Sequence, residues 1–182
     1  MGGGGSGLAA GVSCLEQDLS VLLLEKQPRV GGTTGIAVGS LTASGTRQQR
    51  QNNIHDHPHD HQIDAGRSAR PEVEAAGNSE LREYFLQHSA ETLEWLETMG
   101  LRFHGPSPEP PNRVPRMHNV IPNARAYINT LQMRFLRLGG RLLTNAAVTG
   151  LLRTNDRVTG VTVCVHGTNC EQLAARGVVL AA

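Results

Sequence analysis

Three short stretches near the start of the chain carry residue types suited to gripping a nucleotide diphosphate. Gly2-x-Gly4-x-x-Gly7 has the spacing of a dinucleotide-binding turn. Its first glycine permits a tight bend, its second lets the pyrophosphate approach the backbone, and its third brings the following helix close. A helix beginning near Ser6 would aim its positive amino end at the phosphates. Taken alone, a glycine run behind Met1 reads equally well as a flexible leader. The second stretch ends in Glu25, placed 18 residues after Gly7 at the close of the apolar run Ser20-Val-Leu-Leu-Leu-Glu25. A carboxylate in that place accepts hydrogen bonds from the adenosine ribose hydroxyls and repels a 2′-phosphate, which argues against an NADP-type ligand. The third is Gly31-Gly-Thr-Thr34, followed by Ala37 and Gly39. Small residues and hydroxyls there can bond phosphate and an isoalloxazine, which separates a flavin protein from a simple nicotinamide one.

These residues need a scaffold, and the hydrophobic pattern indicates one. Leu8 to Gln17 reads as a helix and Val21 to Leu24 as a strand buried on both faces, the mark of a parallel sheet covered by helices. Gln51 to about Asn78 is polar and histidine-rich with no sustained period, so it reads as surface loop. Ser79 to Met99 has the three- and four-residue spacing of one amphipathic helix ended by Gly100. The stretch Gly105 to Pro115 is proline-rich and is expected to be irregular. Asn123 to Leu138 is helical by pattern, with Ala126, Ile128, Leu131, Phe135 and Leu138 available for a core and Gly139-Gly140 as its stop. A strand is expected at Arg141 to Thr144. Ala147 to Arg153 and Val158 to Val165 then form a hairpin around Thr154-Asn-Asp-Arg157, and Gly177 to Ala182 is expected to be a last buried strand.

Composition narrows the functional classes. The 17 basic and 16 acidic residues leave a net charge of +1, and no basic stripe is present, so neither nucleic acid nor an anionic membrane is an expected partner. No apolar run approaches the roughly 20 residues needed to span a bilayer. Cys14, Cys164 and Cys170 are an odd number at spacings that match no zinc site, which fits reduced thiols in a cytoplasmic setting. Apolar residues make up 38% of the chain and aromatics only 3%, which suits an aliphatic α/β core.

The cluster His55-Asp-His-Pro-His-Asp-His61 offers ligand types for a metal, but Pro58 interrupts it and no distant fourth ligand is indicated, so it reads as solvated loop. Trp95, Leu96 and Met99 are most simply helix core, and Cys14 is packing on the first helix.

These residues carry a family resemblance. Gly2-Gly-Gly-Gly-Ser-Gly-Leu-Ala-Ala10, Val21-Leu-Leu-Leu-Glu-Lys26 and Gly31-Gly-Thr-Thr34 resemble the amino-terminal FAD site of the fumarate reductase/succinate dehydrogenase flavoprotein superfamily, a pattern that ketosteroid dehydrogenases share. Ser89 to Glu97 leading to Gly100, Arg116-Met-His-Asn119 leading to Tyr127, and Gly139-Gly140 through Ala182 resemble later parts of the same family, so the likeness covers nearly the whole sequence.

The resemblance implies an α/β, Rossmann-like FAD-binding domain with a parallel sheet plus a β-hairpin or small antiparallel sheet. Residues 1–50 would be the dinucleotide-binding part and flavin loop, 51–122 a loop and helical insertion, and 123–182 the helix, hairpin and return strand. It implies that Gly2, Gly4 and Gly7 hold the pyrophosphate, Glu25 the ribose, Gly32, Thr33 and Thr34 the flavin end, and the Val148 backbone the adenine. Gly5, Ser6, Lys26, Ala37 and Gly39 complete the candidate cofactor set. No histidine lies within Thr33 to Ser40, where succinate dehydrogenases attach flavin, so FAD is expected to be non-covalent.

The implied chemistry is hydride exchange between flavin N5 and a carbon next to a carboxylate or carbonyl, on an organic acid or ketone substrate. In the fumarate reductase branch an arginine outside this stretch supplies the proton, and no residue here inherits that role. Arg116 and His118 could help bind an anionic or carbonyl substrate, or could be structural or surface residues. The family's fingerprint follows a buried strand, whereas here only Met1 stands in that place, and a substrate cap and closing FAD segment are also expected to be missing. The sequence therefore predicts weak or no stable FAD binding by the isolated chain. A 3-ketosteroid dehydrogenase-type desaturase and a non-catalytic, vestigial nucleotide-binding fragment are the alternatives.

Overall fold

A computed structural model describes residues 1–174 and 176–182, divided into two compact units. The first comprises residues 1–37 and 124–182, the second residues 38–123.

The first unit opens with helix α1 (Gly5–Leu15) and strand β1 (Leu22–Leu24), followed by a short 3-10 turn at Thr34–Ile36. The second unit then inserts strand β2 (Ser40–Thr42), helices α2 (Arg47–Gln51), α3 (Pro58–Gly66), α4 (Pro71–Ala75), α5 (Ser79–Gln87) and α6 (Ser89–Thr98), and strands β3 (Arg102–Ser107) and β4 (Met117–Ile121). The chain returns through helix α7 (Arg125–Arg137) and strands β5 (Arg141–Leu143), β6 (Ala146–Thr154), β7 (Arg157–Val165) and β8 (Thr168–Leu173).

In the first unit β1 and β5 pair in parallel, Leu23 opposite Leu142, as the doubly buried apolar run requires. Helix α1 packs on α7 through Leu8, Val12 and Leu15 against Ile128, Leu131 and Phe135, all buried. Phe135 is fully enclosed, and β-carbons at Gly11 and Gly140 would lie 2.7 and 2.5 Å from its ring. Strands β6, β7 and β8 form an antiparallel sheet in that order, with Val161 and Val163 turned inward onto Leu24 and Ala146. Cys164 faces Asn169 in this ladder and Cys170 faces Val163. The two thiols therefore project from opposite faces, because side chains alternate along a strand.

Gly177 to Ala182 is not a strand. Among the described residues its backbone bonds run to Met1, from the Met1 amino group to Val179 O at 2.7 Å and from the Ala181 amide to Met1 O at 2.9 Å, while the Gly2 amide bonds Leu24 O at 2.9 Å. One partner residue cannot sustain a ladder, and Val179 and Leu180 are exposed.

The second unit departs most from expectation. Residues 51–78 contain helices α3 and α4 rather than continuous surface loop, and α3 carries two buried polar residues, His61 and Asp64. Arg116, fully enclosed next to β4, partners Asp64. Its Nε and Nη2 donate to the two oxygens of Asp56 at 2.7 Å each, and its Nη1 donates to Asp64 Oδ2 at 2.7 Å and Asn112 Oδ1 at 2.9 Å. Arg113 adds its Nε on Asp64 Oδ1 at 2.6 Å. An ionic core thus replaces the apolar periodicity that a hydrophobic scan detects.

Two further elements differ. The span Ser79 to Met99 is two helices broken at His88, where φ −99° and ψ 3° leave the α region and the Ser89 hydroxyl donates to Leu86 O at 2.9 Å. Gly105 and Pro106 lie inside β3 rather than in an irregular loop. Strand β3 is at the edge of the sheet ordered β2-β4-β3, with a register irregularity between His104 and Ser107, which is where a strand tolerates proline. Gly105 is required there: its φ is +135°, and a β-carbon would meet Met117 O at 2.5 Å.

Candidate functional site

The glycine turn, the acidic strand end and the Gly/Thr loop meet in the first unit. Gly2 has φ +95°, a conformation glycine adopts without strain. A β-carbon on Gly7 would sit 1.8 Å from Gly2 O, so the third glycine of the pattern lets the helix close against the turn. Gly4 forms a parallel bridge with Gly31, whose amide donates to Gly3 O at 2.8 Å. Two glycine-rich backbone segments are thereby held edge to edge, leaving little side-chain bulk along the main chain.

Glu25 closes the end of β1. It is 8% exposed, and its Oε2 accepts the Gly3 amide at 2.6 Å while Oε1 accepts the Gln27 amide at 2.7 Å. Its own backbone joins two strands: the amide donates to Leu143 O and the carbonyl accepts from the Ala146 amide, each at 2.9 Å. The carboxylate is therefore fixed next to the glycine turn by the parallel sheet beneath it.

Helix α1 starts at Gly4 with no side-chain cap and no acidic residue in its first turn. Its positive amino end is left for an anion, as a pyrophosphate site needs. Gly5 donates to Thr34 Oγ1 at 3.3 Å, and a β-carbon on Gly5 would meet that side chain at 2.7 Å. Thr33 precedes the 3-10 turn, and the Gly35 amide bonds Gly31 O at 3.0 Å, so the Gly31–Thr34 loop curls toward the start of α1. Gly32 has φ +51°, and a β-carbon there would stand 3.2 Å from Gly4 Cα. A diphosphate with a ribose on one side and a flavin on the other fits the amino end of α1 with a carboxylate on one side and two threonine hydroxyls on the other.

The remaining candidates are more dispersed. Ser6 is exposed at the helix start, Lys26 is exposed beyond Glu25, and Ala37 is exposed after the 3-10 turn. Gly39 belongs to the second unit, buried with φ +96° and accepting the Val120 amide at 3.1 Å. Val148 stands on β6 opposite Val163 and packs partly buried on the Leu24, Ala146, Val161 and Val163 cluster. The structure adds Gly3, an x-position of the glycine pattern, together with Gln27 and Val30 from the segment after β1. A β-carbon on Gly3 would collide with Val30 Cγ1 at 2.7 Å and Glu25 Oε2 at 3.0 Å. The signal for Gly3 was present in the sequence as an uninterrupted glycine run, while Gln27 and Val30 have no sequence signature.

Arg116 and His118 are structural. Arg116 spends its fork on Asp56 and Asp64. His118 is fully buried, its Nδ1–H donating to Arg116 O at 2.7 Å and its Nε2 3.1 Å from the Thr46 hydroxyl. A carbonyl only accepts, so Nδ1 carries a proton. Burial holds the His118 pKa below the ordinary imidazole value. His61 was read as solvated loop but is buried, 3.2 Å from Ser44 Oγ, and burial together with the Arg116 charge takes its pKa down to about 4. Burial pushes Asp64 up, but the Arg113 amide and the Arg116 and Arg113 side chains outweigh it and bring Asp64 to about 2.

Among the described residues, no helix is long and apolar enough to cross a membrane.

Comparison with known proteins agrees with the cradle. The family model described as FAD binding domain matches residues 1–182. An NADH:fumarate oxidoreductase of Klebsiella pneumoniae (strain 342) is 25% identical over all of this chain and 20% of its own length. A vinyl phenol reductase of Lactiplantibacillus plantarum is 28% identical over all of this chain and 36% of its own length. Among solved structures, the open conformation of a flavocytochrome c3 fumarate reductase has a TM-score of 0.82 at 25% identity, covering 93% of this chain and 30% of that one. A 3-ketosteroid-delta4-(5alpha)-dehydrogenase of Rhodococcus jostii RHA1 shares the fold, with a TM-score of 0.83 at 22% identity over 98% of this chain and 44% of that one. The chain spans between about a fifth and about a third of the length of the curated relatives that it matches throughout. Matched from its first residue to its last, and folded around a glycine turn that faces an acidic strand end, this chain belongs to the FAD binding domain family.

Proposed function

We propose that this chain is the FAD-holding part of an oxidoreductase acting on a small organic acid, with the cofactor bound non-covalently. The observation that carries the reading is the Glu25 carboxylate fixed 2.6 Å from the Gly3 amide, where it can meet a ribose whose diphosphate lies on the amino end of α1. Gly2, Gly4, Gly5, Ser6 and Gly7 offer main chain to the pyrophosphate. Gly32, Thr33, Thr34 and Ala37 serve the flavin end, and Val148 and Lys26 flank the adenosine. When bound, FAD supplies hydride exchange between its N5 and a carbon next to a carboxylate or carbonyl. The chain's own residues orient the cofactor, and none of them is assigned the acid that moves the accompanying proton.

An organic acid substrate is supported by similarity to fumarate-reducing relatives along the whole chain. A ketone substrate is the second reading, favoured by the fold shared with the ketosteroid dehydrogenase. A cytoplasmic setting is supported by three unpaired cysteines. Neither nucleic acid nor a membrane is a proposed partner, in keeping with the balanced charge.

Titration of the purified 182-residue chain with FAD and with ADP, followed by flavin fluorescence and calorimetry, tests the assignment. Weak, saturable binding is expected, with the flavin released intact on denaturation and affinity reduced at least tenfold in Glu25→Ala, on the order of 1.4 kcal/mol or more. Absence of saturable binding of either nucleotide at millimolar concentration would overturn it.

A further inference from the structure

Glu25 does more in this structure than present a carboxylate to a ribose. Both of its oxygens are already engaged by the chain's own amides, Oε2 by Gly3 at 2.6 Å and Oε1 by Gln27 at 2.7 Å. Gly3 is held from its other side as well, since its carbonyl accepts the Gly31 amide at 2.8 Å. Gly2 is tied to the end of β1 by its amide on Leu24 O at 2.9 Å. The glycine turn, whose residues have the greatest conformational freedom in the chain, is therefore pinned by the chain's own groups.

We propose that Glu25 is a positioning residue for the glycine turn, clasping the Gly3 and Gln27 amides in the nucleotide-free protein, in addition to the ribose contact on which the functional reading rests. The chemistry permits both roles. An ionised carboxylate has about four acceptor sites, and the two amides use two of them. Two acceptor sites therefore remain for ribose hydroxyls. Hydrogen bonds to an ionised acceptor are roughly twice as strong as neutral ones, and this pair is nearly buried. A turn ordered in advance spares the ligand the entropy of ordering it, so the clasp raises nucleotide affinity without an extra ligand contact. Glutamine could not reproduce the arrangement, because one end of its amide would present N–H groups to a backbone N–H.

Residue-resolved amide hydrogen exchange on the 182-residue chain without nucleotide, and again with ADP, decides the matter. The Gly3 and Gln27 amides should exchange at least tenfold slower than their intrinsic rates before ADP is added. In Glu25→Ala both should speed up at least tenfold, while the Ile128 and Leu131 amides of α7 keep their protection and report an intact fold. If Glu25→Ala does not fold, the unsubstituted chain decides alone. Gly3 and Gln27 amides exchanging at intrinsic rates until ADP is present would overturn the clasp and make Glu25 a ribose ligand only. Protected amides in a chain that never binds ADP would support the clasp and overturn the FAD assignment instead.

Discussion

A β-carbon placed on Gly7 would lie 1.8 Å from the carbonyl oxygen of Gly2, closer than any non-bonded pair can stand. The neighbouring atom is backbone, so it cannot swing away as a flexible side chain would. Gly7→Ala must therefore push α1 off the turn or reshape the turn itself. We expect a loss of about 3 kcal/mol, the upper range for inserting a methyl into a packed site. Urea unfolding compared with the unsubstituted chain measures it, and an unchanged midpoint would refute the close approach.

Phe135 is the pin between α1 and α7, fully buried between Gly11 and Gly140. Phe135→Ala should cost about 3–5 kcal/mol through lost burial and the cavity left behind. Phe135→Leu should recover much of that loss. Thermal unfolding followed by far-ultraviolet circular dichroism gives both values.

Arg116 neutralises Asp56 and Asp64, all three side chains being at most 2% exposed. Arg116→Ala leaves two buried carboxylates without their main partner, and removing one partner of a buried pair costs about 3–5 kcal/mol. Arg116→Lys keeps the charge but loses the planar fork that reaches both oxygens of Asp56, so only part of the stability should return. Chemical denaturation of the two variants distinguishes fork geometry from charge.

The same network makes the chain sensitive to acid. His61 has its pKa lowered to about 4 by burial and the Arg116 charge, so between its ordinary value of 6.5 and about 4 the unfolded chain binds a proton that the folded chain refuses. Stability contributed by neutral His61 is complete above pH 6.5 and is lost as pH falls toward 4, by up to about 3 kcal/mol at 1.36 kcal/mol per unit. His118, lowered by burial, acts in the same sense. Asp64, held at about 2 against an ordinary 3.8, adds a second loss below pH 3.8. Unfolding free energy measured from pH 7.5 to 4.5 should fall steadily, and His61→Gln should flatten the curve.

Much of the first unit around the glycine turn was legible in the sequence because its signals are local. The spacing of Gly2, Gly4 and Gly7, the apolar run that ends in Glu25, the helix at Arg125–Arg137 and the hairpin around Asn155 each depend on a few consecutive residues and one periodicity. Gly3 was visible in the same run but carried no pattern of its own. The tertiary structure decided what depends on partners far along the chain. Asp56 and Asp64 meet Arg116 across separations of 60 and 52 residues, and the exchange of an apolar for an ionic core is invisible to a hydrophobic scan. Hence the segment around His55 to His61 reads as solvated loop, and His55, His57 and His59 are exposed, yet Asp56 and His61 are buried, and Arg116 and His118, for which the sequence leaves a substrate or a structural role open, serve the core. Pro106 was likewise placed by topology, since only the position of β3 at a sheet edge admits a residue without an N–H. The local code set the elements and the cradle's chemistry. Long-range pairing of charges decided which polar residues face solvent and which hold the second unit together.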